Sequence, residues 1–167
     1  MSKELESMAI LNGVCGSVNI PGITKVEYVP VQWVETWPEF IDDNNTITIP
    51  IVLIPGKDWL LASFSAKSAV YNENQSSKKH SDSYKVSLDA IFATDNAGAS
   101  ELFDEMAKYQ YILKITDRNG LVRVVGNPKT LLSFTSNLTT GKQPGDTKGY
   151  KYSFEGLLFH RSPFYSV

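Results

Sequence analysis

The chain has 167 residues, 42% of them hydrophobic and 20% charged, with a formal net charge of −2. That composition suits one domain with a sizeable core and excludes a disordered chain. The weak acidity argues against a sequence-independent DNA clamp, which needs a basic surface. No apolar run approaches the ~20 residues needed to cross a bilayer as a helix.

The N-terminal arm, residues 1–20, has no signal-peptide order, since Lys3, Glu4 and Glu6 precede only a brief apolar patch. Synthesis and retention in a cytosol are therefore expected. Cys15 is the single cysteine, so no internal disulfide can form. Residues 22–37 read as an extended segment, with Val26 and Tyr28 on one face and Lys25 and Glu27 on the other. Pro30 marks an edge or a bulge. Residues 45–56 are rich in β-branched side chains, but Pro50 and Pro55 keep them out of the middle of a sheet. Residues 58–71 continue in strand style, with Leu60, Ala62, Phe64 and Ala66 on one face.

A polar stretch follows. Residues 71–83 hold no Val, Ile, Leu, Phe or Trp, so the segment reads as a long inter-strand loop that cannot bury apolar surface to order itself. The cleanest strand comes next, at 83–93. Tyr84, Val86, Leu88, Ala90 and Phe92 point one way, and Lys85, Ser87 and Asp89 the other. A helix is predicted at about 96–109, capped by Asn96 or Ser100, with Leu102, Phe103, Met106 and Tyr109 on one side. Glu101, Asp104 and Glu105 toward its start and Lys108 near its end suit the helix dipole. Residues 111–126 read as strand, turn, strand, with Asn119-Gly120 supplying the positive φ of a tight hairpin. Strands are also expected at 130–138, with Leu132, Phe134 and Leu138 in phase, and at 150–160, with Tyr150, Tyr152 and Phe154 in phase. A polar loop joins these two, and Gly156 suggests a bulge. The sum is a mainly β single domain, 1–167: an antiparallel β-sandwich or small barrel with one flanking α-helix.

Catalytic motifs are missing. Gly141-Lys142 is followed by Gln143 rather than Ser or Thr, and no helix pattern opens after it, so it is no phosphate-binding loop. His80 and His160 have no partner at metal-ligand spacing. His160 beside Ser162 is an adjacency in sequence and not a constellation. Asp42-Asp43 and Asp104-Glu105 are neighbours and cannot face each other across a sugar. The stretch 42–45 lacks the glycine of a calcium loop. Trp33, Trp37 and Trp59 fit a core or subunit interface better than ligand stacking. No enzyme activity, metal or cofactor is expected.

The polar segment and the proline-broken strands point instead to assembly. An uncovered sheet edge is a hazard unless a neighbour covers it, and a ring of copies does so by symmetry. The loop 71–83 leading into "YKVSLDAIFA", the helix "ASELFDEMAKY" and the closing "YKYSFEGLLFHRSPFY" together resemble the bacteriophage tail-tube and related ring-forming virion proteins. The resemblance covers about residues 20–165. It implies a phage or prophage tail structural subunit that forms hexameric or other rings with itself and neighbouring virion proteins. DNA would pass through these rings without sequence readout. The implied location is the virion, with assembly in host cytoplasm and no membrane. A head–tail connector, a tail terminator ring or a carbohydrate-binding β-sandwich module are the alternatives. The expected interface residues are Tyr71, Asn72, Glu73, Asn74, Lys78, Lys79, His80 and Asp82 in the loop 71–83, with Lys142 and Asp146 in the second polar loop.

Overall fold

A computed structural model describes residues 20–39, 45–78 and 81–167. The N-terminal arm up to residue 19, with Cys15, and the pair Asp42-Asp43 lie outside the described residues. The elements in chain order are β1 (Ile23–Pro30), a 3-10 turn (Val31–Trp33), β2 (Val34–Thr36), β3 (Thr46–Ile47), β4 (Val52–Leu53), β5 (Leu60–Leu61), β6 (Val70–Lys78), β7 (Ser81–Phe92), α1 (Ala97–Met106), β8 (Gln110–Asp117), β9 (Val122–Val125), β10 (Leu132–Thr139), β11 (Gly149–Leu158) and β12 (Phe164–Tyr165). The molecule is mainly β with one helix among the described residues, and its sheet curls into a half-barrel.

That sheet has ten strands, with a path β3-β12-β9-β8-β10-β11-β7-β6. Strand β1 pairs with the other edge of β8, and β5 pairs with β1. Strands β9 and β10 share one edge of β8: β9 pairs at Leu113–Thr116, and β10 only at Gln110 and Tyr111. A small second sheet, β2-β4, carries the proline-interrupted region.

Two cores form because the middle of the sheet is covered on both faces. Val26, Tyr111, Leu113 and Ile115 join the main core with Val86, Leu88, Phe134, Tyr152 and Phe154. Val29, Ile112 and Val124 point the other way, into a second core with Ile47 and Ile51. Strand β8 therefore reads as the unbroken run Tyr111-Ile112-Leu113, since a strand buried on both faces loses its alternation. Strand β7, buried on one face, keeps it: Tyr84, Val86, Leu88 and Ala90 are buried. The half-exposed tryptophans Trp33, Trp37 and Trp59 pack against the second core. Lysine ammonium groups lie over two of them, Lys57 over Trp33 and Lys114 over Trp59, each 4.6 Å from the ring centroid.

Helix α1 begins where expected. The Asn96 side-chain oxygen accepts a 2.8 Å hydrogen bond from the Ala99 amide. It ends at Met106, so Tyr109 lies beyond it and is exposed, and no acidic residue falls in its first turn. Phe103 anchors it, with ring centroids 5.6 Å from Phe92, 5.6 Å from Phe134 and 4.8 Å from Tyr150.

Several expectations are corrected. The strand over 58–71 is broken into β5 and the first two residues of β6, because the chain turns at Ser65–Ser68, where Lys67 takes φ 62. Leu138 is in phase with Phe134 but is 49% exposed. Gly156 marks no bulge, since β11 and β7 keep register through it. It makes room instead: a Cβ there would sit 2.5 Å from Leu132 Cδ2. In the β8–β9 hairpin only Gly120 takes positive φ, at 81°, while the Asp117 carboxylate accepts the amides of Asn119 and Leu121.

Burial holds four phenols neutral. Tyr71, Tyr111, Tyr152 and Tyr28 all have pKa values raised by loss of solvation. A folded pKa above the unfolded value of about 10 stabilises the fold fully below pH 10, and that stability is lost as pH rises further. Alkaline titration followed at 295 nm and by far-UV circular dichroism tests this. Tyr71, Tyr111 and Tyr152 are expected to ionise only as the ellipticity collapses. One smooth transition near pH 10 for all 8 tyrosines, with the ellipticity unchanged, would contradict this.

Candidate subunit interface

Of the segment 71–83, residues 71–78 and 81–83 are strand rather than loop. Strands β6 and β7 pair in continuous antiparallel register from Val70↔Asp89 to Lys78↔Ser81. The polar run is therefore a long hairpin, about 30 Å along each nine-residue arm at ~3.3 Å per residue. Its order comes from backbone hydrogen bonds and needs no buried apolar surface of its own. Lys79 and His80, expected in the interface, lie outside the described residues.

The base of the hairpin is tied to the C-terminal segment. Tyr71 Oη lies 2.7 Å from Ser162 Oγ, and Glu73 Oε1 accepts the Ser162 amide at 3.2 Å. Ser162 is fully buried, and its carbonyl accepts from Arg123 Nη1 at 3.0 Å. Farther out, Arg161 donates to Gln75 Oε1 at 3.1 Å and its guanidinium lies over the Tyr84 ring. Tyr71 and Glu73 are thus half-buried anchoring residues and not free interface groups. Asn72, Asn74, Lys78 and Asp82 are exposed, as are Ser76, Ser77 and Ser81.

Lys142 and Asp146 sit elsewhere. The loop after β10 closes on itself, with Asp146 Oδ2 accepting the amides of Lys142 at 2.8 Å and Gln143 at 3.0 Å. Those two hydrogen bonds hold the Asp146 carboxyl below its usual range. Because Tyr150 pairs with Phe92 and Leu158 with Tyr84, this loop lies at the end of the sheet opposite the hairpin tip. The two polar segments do not converge on one surface.

The register reveals two open edges. No described strand pairs with the outer edge of β6. Strand β10 is paired on both sides only at Ser133, and Phe134–Thr139 is open on one side. The four strands β10-β11-β7-β6 between these edges carry a polar face that includes Asn72, Asn74, Lys85, Asp89, Lys151 and Glu155, all exposed. Lys78, in phase with Asn72 and Asn74, lies on it too, so the face carries three basic and two acidic side chains. Sequence reasoning missed the β10 edge because pairing geometry, and not side-chain pattern, leaves it uncovered.

The candidates for chemistry are occupied in structural roles. Asn127 donates to His160 Nε2 at 3.2 Å, and His160 Nδ1 donates to the Arg161 carbonyl at 2.9 Å. Glu105 pairs with Lys108 at 2.6 Å on the helix surface. No cluster of three potential metal ligands occurs among the described residues. Among them, too, no helix is long and apolar enough to cross a membrane. No protein-family model, curated protein or solved structure matches the chain.

Proposed function

We propose that this chain is a ring-forming structural subunit of the phage tail-tube kind, working by self-association without catalysis. The observation that carries the reading is the pair of open edges on opposite sides of one four-stranded stretch. Successive strands there alternate in direction, so β6 and β10 run antiparallel. Rotating a copy about a ring axis that runs along the strands preserves strand direction. The β6 of one copy then meets the β10 of the next as an antiparallel pair. This is a head-to-tail contact, of the kind that makes a ring when its rotation completes a circle. A tail tube, a head–tail connector and a tail terminator all use such closure. On the polar face Lys78, Lys85 and Lys151 are offset by Asp89 and Glu155, so it offers no dense basic track to hold a phosphate backbone, which suits passage of DNA rather than its capture.

The test is the mass and shape of the purified protein. Light scattering and negative-stain images are expected to show rings at high concentration. Of two neighbouring amides on an edge strand, one points outward. Asn74→Pro and, separately, Gln75→Pro therefore probe the open edge, and one of the two is expected to give a folded monomer. A wild-type protein that stays monomeric at every concentration, or closes as a β6-to-β6 dimer, would overturn the reading.

A further inference from the structure

We infer that the ring contact has a second, electrostatic half: a basic cleft beside β6 receives the acidic flank of α1 from the next copy. This rests on the ring reading and adds a partner surface to it. The cleft, about 580 Å³, lies where β6 starts, between Val70 and the β8–β9 turn. Its walls are apolar, with Ile23, Ile115 and Leu121 among them. Lys67 and Arg118 line it and make no ion pair among the described residues. Gly22, at φ +117, gives Arg118 its place, since a Cβ there would be 2.9 Å from Arg118 Nε. Arg123 adds a third cation, fixed by the Ser162 carbonyl and held 4.0 Å over Phe164. The cleft's one carboxylate, Asp117, has an oxygen committed to the amides of Asn119 and Leu121. The cleft is therefore positive in an acidic chain.

The complementary surface lies at the other edge. Helix α1 packs on β10 through Phe103 against Phe134. Glu101 and Asp104 are exposed on it and make no ion pair among the described residues, whereas Glu105 is taken by Lys108. Cleft and helix lie on the same side of the sheet, because Tyr71 and Ile115 in the cleft and Phe103 in the helix belong to one core. They also lie at matching height. Val70 pairs with Asp89, Asp89 with Ser153 and Ser153 with Thr135, which puts the cleft level with the open part of β10. When β6 meets the next β10, Lys67 and Arg118 face that copy's Glu101 and Asp104. Opposed charges of this kind select the partner edge and its register.

The test is a charge swap read by light scattering and sedimentation, with circular dichroism confirming folding. Lys67→Glu with Arg118→Glu is expected to weaken association about tenfold or more. Adding Glu101→Lys and Asp104→Lys to the same chain is expected to restore it. Wild-type association is expected to fall as salt rises. If the basic-to-acidic reversal leaves assembly unchanged while the edge proline abolishes it, the ring reading stands and this contact is wrong. If the four-fold variant assembles no better than the two-fold one, the pairing is likewise wrong. A wild-type chain that never assembles removes both.

Discussion

Gly149→Ala is expected to lower the melting temperature by about 10 °C, from a loss of roughly 3 kcal/mol or more. Gly149 opens β11 at φ +138, a conformation that side-chain-bearing residues rarely adopt. Space is the larger problem. An added Cβ would lie 2.3 Å from the Phe92 carbonyl oxygen and 2.9 Å from Ala93 Cα, and both are backbone atoms that no rotamer change can move. The strands β7, β10 and β11 meet at this point, since Gly149 pairs with Thr139 and its neighbour Tyr150 with Phe92. Relieving the clash would pull apart the end of the four-stranded stretch. Thermal unfolding by circular dichroism checks this, and a midpoint within about 2 °C of wild type would refute it.

Phe103→Ala should cost about 3–5 kcal/mol, the usual range for deleting a buried aromatic ring. Phe103 is 5% exposed and touches the rings of Phe92, Phe134, Tyr150 and Tyr152. Little else holds α1 down, because Ala99 and Met106 are its other buried residues. Loss of the ring should therefore loosen the helix as well as leave a cavity. Leu102→Ala is the internal control. Its side chain is 50% exposed, and the expected change is within about 1 kcal/mol. Chemical denaturation of both variants decides the matter, and equal losses for the two would mean that Phe103 is not the anchor.

What could be read from the sequence was whatever burial writes on one face. The alternation Tyr84, Val86, Leu88, Ala90 gave β7 directly, and Asn96 announced the start of α1. The polar hairpin arm was unreadable for the complementary reason. From Asn72 to Lys78 the strand is held by its backbone ladder to β7, and backbone hydrogen bonds leave no side-chain signature. Its anchors, Tyr71 to Ser162 and Gln75 to Arg161, bridge residues 91 and 86 positions apart in the chain. The second core was hidden in the same way. Val29, Ile112 and Val124 break the alternation of their strands, and only the fold shows that the breaks face a common partner. Of the expected interface, the exposed residues Asn72, Asn74, Lys78 and Asp82 lie on the hairpin, while Tyr71 and Glu73 turned inward to hold its base.

The hairpin tip and the loop closed by Asp146 occupy opposite poles of the same sheet, and they are chemically unlike. One is a two-stranded projection rich in serine; the other is a compact turn pinned by its own carboxylate. Copies joined side by side in the manner proposed would all point the same way, so the resulting annulus would have an upper and a lower surface that are not interchangeable. Any column built by piling such annuli would inherit that arrow, and its two ends would recruit different neighbours.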